Sequence, residues 1–148
     1  MRRQSRRLLK KDVSKFTRMT GNRFALDTNI VSAWLKGEGA IADKIDAAES
    51  VFLPIIVIGE LYYGAGFSAQ VAKNTQDIKK ITERYPLLSI DEDTTIIYGS
   101  IKTGLRKKGK PIPENDIWIA AIAIQNDLAL VTRDNHFNEI EELSLVSW

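Results

Sequence analysis

Short apolar segments of strand length alternate with stretches of helical spacing from residue 23 onward, and this alternation narrows the fold more than any other feature of the chain. Segments 23–26, 51–53, 87–90 and 128–131 read as strands, and 143–146 as a fifth. Between them, 30–36, 40–49, 55–63, 69–84, 91–106 and 113–125 carry apolar residues at helical intervals, as at Ile41 and Ile45 or Ile97, Ile101 and Leu105. Gly37-Glu38-Gly39, Pro54, Pro86 and Pro111 punctuate the pattern. Strands separated by whole helices cannot pair as hairpins, so they are expected to lie parallel, with helices on both faces of the sheet. The 148 residues fit one α/β domain: three layers, a central parallel sheet of four to five strands, over 23–148.

Residues 1–22 read differently. They hold eight basic side chains against one acid, a net +7, whereas the remaining thirteen basic and eighteen acidic residues give −5. The expectation is a mildly acidic folded body behind a basic, flexible extension. Such an arm is ordinarily a solvated tail, and otherwise a contact for nucleic acid or an anionic surface. Its longest apolar run is Leu8-Leu9, too short for a secretory signal, while the basic, acid-poor composition is shared with organelle transit peptides. No stretch approaches the roughly 20 apolar residues of a membrane span. A cytoplasmic protein without a membrane partner is expected.

Composition removes whole classes of chemistry. With no cysteine there is no disulfide scaffold, thiolate metal site or cysteine nucleophile. A single histidine, His136, excludes any site needing two imidazoles. Carboxylates, hydroxyls and basic groups remain.

Four acids occupy suggestive places. Asp27 and Asp134 follow predicted parallel strands, where open α/β sheets bind their ligands. Glu60 follows Ile55-Ile56-Val57-Ile58-Gly59, and Asp116 precedes Ile117-Trp118-Ile119-Ala120-Ala121. A carboxylate in an apolar setting is costly unless it is paired, protonated or bound to a cation. Each also has a bland reading: Asp27 and Asp116 as helix caps, Glu60 on a solvated face, Asp134 in a turn. Together they favour a site for a hard cation such as Mg²⁺ or Mn²⁺.

Four blocks come in order: Phe24-Ala25-Leu26-Asp27-Thr28-Asn29-Ile30, Ile58-Gly59-Glu60-Leu61-Tyr62-Tyr63-Gly64, Pro113-Glu114-Asn115-Asp116-Ile117-Trp118-Ile119-Ala120-Ala121 and Val131-Thr132-Arg133-Asp134. Over about 19–148 this closely resembles the PIN-domain ribonucleases, particularly the VapC toxins of bacterial and archaeal toxin–antitoxin pairs. The resemblance implies a PIN-like α/β/α fold and a metal-dependent endoribonuclease, with Asp27, Glu60, Asp116 and Asp134 as the catalytic acids. Asp27, Asp116 and Asp134 would then ligate Mg²⁺ or Mn²⁺, while Glu60 would hold the ion's waters or act as base. Thr132 and Asn29 match the family's polar residues beside the last and first acids. RNA as substrate, a cognate antitoxin and a homodimer are implied in the same way. The family's usual beginning would fall near Met19, so 1–18 reads as an upstream start assignment or as an RNA-binding arm.

Other features carry less. Gly64-Ala65-Gly66-Phe67-Ser68-Ala69 fits a dinucleotide fingerprint but follows a helix, so glycine caps at a helix end are expected instead. Residues 106–110 read as a basic loop, either solvated or reaching an RNA phosphate. His136 is expected at the surface near the last acid, and the apolar stretch 55–67 could receive an antitoxin helix. The rival readings are a PIN nuclease of RNA processing or decay without a toxin role, a non-catalytic RNA-binding module, and an aspartate phosphotransfer domain. The last is disfavoured, because it wants Asp-x-Asp or paired acids where this chain has Asp27-Thr28-Asn29.

Overall fold

The computed structural model describes residues 22–148. The basic extension, Asn22 apart, lies outside them. In chain order the elements are β1 (Arg23–Leu26), α1 (Thr28–Leu35), α2 (Gly39–Ala47), β2 (Ser50–Pro54), α3 (Ile55–Gly66), α4 (Val71–Arg84), β3 (Leu87–Leu88), α5 (Glu92–Lys108), α6 (Glu114–Gln125), β4 (Ala129–Val131), a 3-10 turn (Asn135–Glu139) and β5 (Leu145–Val146).

The strands form one sheet in the order β3-β2-β1-β4-β5. Every neighbouring pair is parallel, with Phe24 of β1 in register with Val51 on one side and Ala129 on the other. Helices cover both faces, as the alternation of segments requires, and the central strands have no wet face. Ala25, Leu26, Leu53, Leu130 and Val131 are all fully buried. Helix α6 is buried nearly all round, through Ile117, Ile119, Ala120, Ala121, Ile122 and Ala123. An apolar sequence with no polar stripe is a core helix. Each large aliphatic side chain so buried contributes about 1.5–3 kcal/mol relative to exposure.

Tertiary burial moves several helix ends beyond their sequence signals. Helix α1 starts at Thr28 because Asp27 caps it, its carboxylate accepting from the Thr28 N–H. Helix α3 continues to Gly66, since Leu61 and Ala65 stay in the core and their burial outweighs the low helix propensity of Gly64. The expectation of glycine caps here is corrected: both glycines lie in the last turn, and Phe67 caps it at φ −95°, a conformation open to any residue. With a helix rather than a strand before them, they form no dinucleotide loop.

The basic loop is corrected as well. Arg106, Lys107 and Lys108 form the last turn of α5, anchored by buried Leu105 and placed where cations complement the helix C-terminus. Gly109 ends it at φ +67°, its N–H donating to the Arg106 carbonyl and that of Lys110 to the Leu105 carbonyl. At the other end, Asp91 and Thr94 form a reciprocal capping box, and the buried Thr94 hydroxyl also donates to Gln125 of α6. Helices α5 and α6 are thereby joined by a polar contact at one end. Among the described residues, no helix is long and apolar enough to cross a membrane.

Candidate functional site

The chain returns from β3 to β4 across the sheet, so the strand order reverses between β1 and β4. The crevice beyond the carboxyl ends of those two strands is where an open α/β sheet leaves room for a ligand. Asp27 leaves β1 at this point, and Thr132, Arg133 and Asp134 leave β4 beside it.

Asp27 is 4% exposed and fully engaged. Its N–H donates to the Val131 carbonyl at 3.0 Å, tying it to β4. Its Oδ1 accepts from the Thr28 N–H at 2.8 Å, and its Oδ2 from Thr132 Oγ1 at 2.7 Å and Asn29 Nδ2 at 3.2 Å. Burial pushes the carboxyl's pKa upward, and nearby Asp134 adds to this, while the three hydrogen bonds pull it back. Capping and site geometry are therefore one arrangement: the carboxylate that starts α1 also faces the crevice.

Glu60 arrives from α3, and its Oε1 accepts from Thr28 Oγ1 at 3.0 Å. Its pKa is also raised, chiefly by burial and further by Asp27, against the bond from Thr28. Asp116 stands in the first turn of α6, with its side chain 13% exposed. Burial pushes it up to about 6, and the charges of Asp27, Asp134 and Glu60 push the same way, opposed by His136. All four acids thus share one electrostatic environment, with Asp116 feeling the other three.

Asp134 is set by the turn it caps. Its N–H donates to Thr132 Oγ1 at 3.0 Å, and its Oδ1 accepts from the His136 N–H at 2.9 Å. The imidazole of His136 folds back over the same carboxylate, placing Nδ1 2.9 Å from Asp134 Oδ1 and 3.8 Å from Asp116 Oδ2. Asp116, Asp134 and His136 each offer a donor atom within 4.8 Å of the others. Asp27 lies beside this trio, joined to Asp134 through the Thr132 hydroxyl, and Glu60 stands across from it behind Thr28.

Asn29 and Thr132 brace the acids. Asn29 Oδ1 accepts from the Arg133 N–H at 3.2 Å while its amide donates to Asp27 and, at 3.4 Å, to Thr132 Oγ1. The Arg133 guanidinium turns to Glu38 and to the Trp148 carbonyl rather than to the acids. Among the described residues, no lysine or arginine forms an ion pair with Asp27, Glu60, Asp116 or Asp134. Carboxylates gathered without a basic partner are mutually destabilising unless a cation joins them. Oxygen donors of this kind suit a small divalent ion, so the residues fit the group the sequence called for.

The structure therefore brings together all four acids, together with Asn29 and Thr132. It adds two residues that sequence reasoning passed over as site members. Thr28 stands between two acids, a role visible only once α3 is packed against α1. His136 lies two residues beyond Asp134, and that spacing was the available signal. Two basic residues of 106–110 pair away from the acids: Lys108 donates to the Glu139 carbonyl and stands 3.9 Å from Glu141, while Lys110 stands 3.9 Å from Glu139.

The family model described as PIN domain matches residues 24–143. Ribonuclease VapC2 of Haemophilus influenzae is 33% identical over 129 residues, which cover 85% of this chain and 98% of that protein. Among solved structures, VapBC2 from Rickettsia felis bound to a DNA fragment from its promoter matches with a TM-score of 0.79 at 28% identity, covering 84% of this chain and 98% of that one. DNA-bound VapBC from Salmonella typhimurium matches with a TM-score of 0.80 at 27% identity, over 85% of this chain and 98% of that one.

Proposed function

The chain belongs to the PIN domain family, and on that premise we propose that it is a metal-dependent endoribonuclease acting as the toxin of a toxin–antitoxin pair. The observation that carries the reading is the convergence of four carboxylates from four separate elements at the sheet's switch point, with no lysine or arginine paired to any of them.

Asp27, Asp116 and Asp134 would hold Mg²⁺ or Mn²⁺. A bound ion of this kind neutralises charge on phosphate oxygens and lowers the pKa of a coordinated water. Asp27 is prepared for its part by Thr132, Asn29 and the Thr28 N–H, which fix both oxygens before any ligand arrives. Glu60 is held at Oε1 by Thr28 and leaves Oε2 to take a proton from the attacking water. Its pKa is raised, first by burial and further by Asp27, which makes the carboxylate a better proton acceptor.

The VapBC relatives support a cognate antitoxin as partner, and homodimerisation and a cytoplasmic location belong to the same proposal. A cavity of about 370 Å³ between α1, α3 and α4 reaches Thr28 and Glu60 and is floored by Leu61, Ala65 and Ile78. It supports this side of the molecule as the antitoxin's seat, with Tyr63 of α3 and its capping residue Phe67 both exposed.

The deciding experiment is cleavage of total cellular RNA by antitoxin-free protein with Mg²⁺ or Mn²⁺, with EDTA, and with Asp116→Asn. Discrete fragments that require both the ion and Asp116 are expected. Absence of cleavage by folded, metal-loaded protein would turn the reading toward a binding module.

A further inference from the structure

We propose that His136 is a fourth protein ligand of the ion, and that this nitrogen donor biases the site toward Mn²⁺ over Mg²⁺. The inference rests on the metal site proposed above and adds a residue and a selectivity to it.

The geometry starts in the backbone. Asp134 caps the 3-10 turn by accepting from the His136 N–H, which fixes the histidine two residues beyond the last strand-end acid. From there the ring folds back so that Nδ1, rather than Nε2, stands 2.9 Å from Asp134 Oδ1 and 3.8 Å from Asp116 Oδ2. One ring atom thus faces carboxylates from two different elements. A histidine that only balanced the charge of Asp134 would need the first contact and not the second. In the neutral tautomer with its proton on Nε2, the Nδ1 lone pair is aimed at the place the two acids share.

The surroundings leave the atom available. The side chain is 54% exposed, so the ring is reachable from solvent. Beside it lies an open cavity of about 730 Å³, bounded by Asn29, Lys110, Ile112, Asp134 and Glu139, through which a hydrated ion can approach. Lys110 and Arg133 at its wall are turned to Glu139 and Glu38, leaving His136 as the nitrogen donor next to the acids.

Donor type then sets selectivity. Carboxylate oxygens serve Mg²⁺ and Mn²⁺ alike, whereas imidazole nitrogen favours first-row transition ions and adds little for Mg²⁺.

His136 is the chain's single histidine, so an imidazole signal has one possible source. The test is pulsed electron paramagnetic resonance of Mn²⁺ bound to tag-free protein in nitrogen-free buffer, with calorimetric titration of Mn²⁺ and Mg²⁺ into wild type and His136→Gln. Imidazole nitrogen modulation is expected in wild type and not in His136→Gln. Mn²⁺ affinity should fall about tenfold or more in the variant, and Mg²⁺ affinity by less than about threefold. Mn²⁺ bound without nitrogen modulation would overturn the proposal. So would an equal loss for both ions, which would make His136 a hydrogen-bond partner of Asp134 alone. A wild-type chain that binds neither ion would instead sink the metal site itself.

Discussion

Thr132 Oγ1 donates to Asp27 Oδ2 at 2.7 Å, joining the residue after β4 to the residue after β1 across the point where the sheet reverses its order. The same oxygen accepts from the Asp134 N–H and the Asn29 amide. One hydroxyl therefore sets the spacing of two of the acids. Thr132→Val keeps the shape of the side chain but strips a buried carboxylate of a donor and leaves two N–H groups without their acceptor. We expect a loss of about 1–3 kcal/mol in denaturant unfolding, together with weaker Mn²⁺ binding. Thr132→Ser should restore most of both. A valine variant as stable and as tight as wild type would show that the hydroxyl is dispensable.

Thr28 does for Glu60 what Thr132 does for Asp27. Its backbone N–H holds one acid and its hydroxyl the other, so a single residue at the start of α1 relates β1 to α3. Removing the hydroxyl in Thr28→Val leaves the backbone contact in place and frees Glu60. Its carboxyl then loses the bond that lowers its pKa and titrates higher still. Cleavage should drop roughly tenfold, with the acid limb of the pH–rate profile moved to higher pH, and Thr28→Ser should reverse both. An unshifted limb would separate Glu60 from the proton transfer.

These two threonines mark how far the sequence could be read. Asp27 and Asp134 were legible because a strand end announces itself locally, through an apolar run that stops at a polar residue. Asp116 and Glu60 were legible because an acid embedded among isoleucines needs a reason. The bond between Thr28 and Glu60 spans 32 residues, and it exists only because α3 packs on α1; no local pattern encodes it. The same holds for the switch point, since strand order depends on where the return from β3 to β4 is laid down. Helix ends failed for a related cause. Arg106 to Lys108 look like a loop by charge, yet Leu105 keeps that turn in the core and the helix runs on.

Gly109 closes that helix in the left-handed region, at φ +67°, with nothing within 4 Å of where a Cβ would sit. Any cost of a side chain there is therefore backbone strain and not collision. Gly109→Ala should lower stability by about 1 kcal/mol. Gly99, inside the same α5, has equally open surroundings without the positive φ, so Gly99→Ala should raise stability by about 0.5–1 kcal/mol. Thermal unfolding of both variants would check the pair, and equal effects would contradict the assigned conformations.

The carboxylates make a pH prediction whose sign is set by burial. Asp116 is pushed up to about 6, with Asp27 and Glu60 also raised, each by burial first. An acid whose pKa is higher in the folded chain than in the unfolded one binds its proton more readily when folded. Its ionised form therefore weighs against folding above about pH 6, and that penalty fades as pH falls from 7 toward the unfolded value near 4. Metal-free protein should be more stable at pH 5 than at pH 7 on account of these groups. Asp116→Asn should flatten the slope and stabilise the metal-free chain at pH 7 by about 1–2 kcal/mol, the full shift being reduced for residual solvent screening. A cation reverses the preference, because it favours the ionised form: Mn²⁺ affinity should rise through pH 6 with release of protons, and saturating Mn²⁺ should raise the unfolding temperature more at pH 7 than at pH 5. Unfolding scans at the two pH values, with EDTA and with Mn²⁺, measure both halves. A metal-free chain less stable at pH 5, with Asp116→Asn unchanged from wild type at pH 7, would mean that Asp116 is not held among like charges.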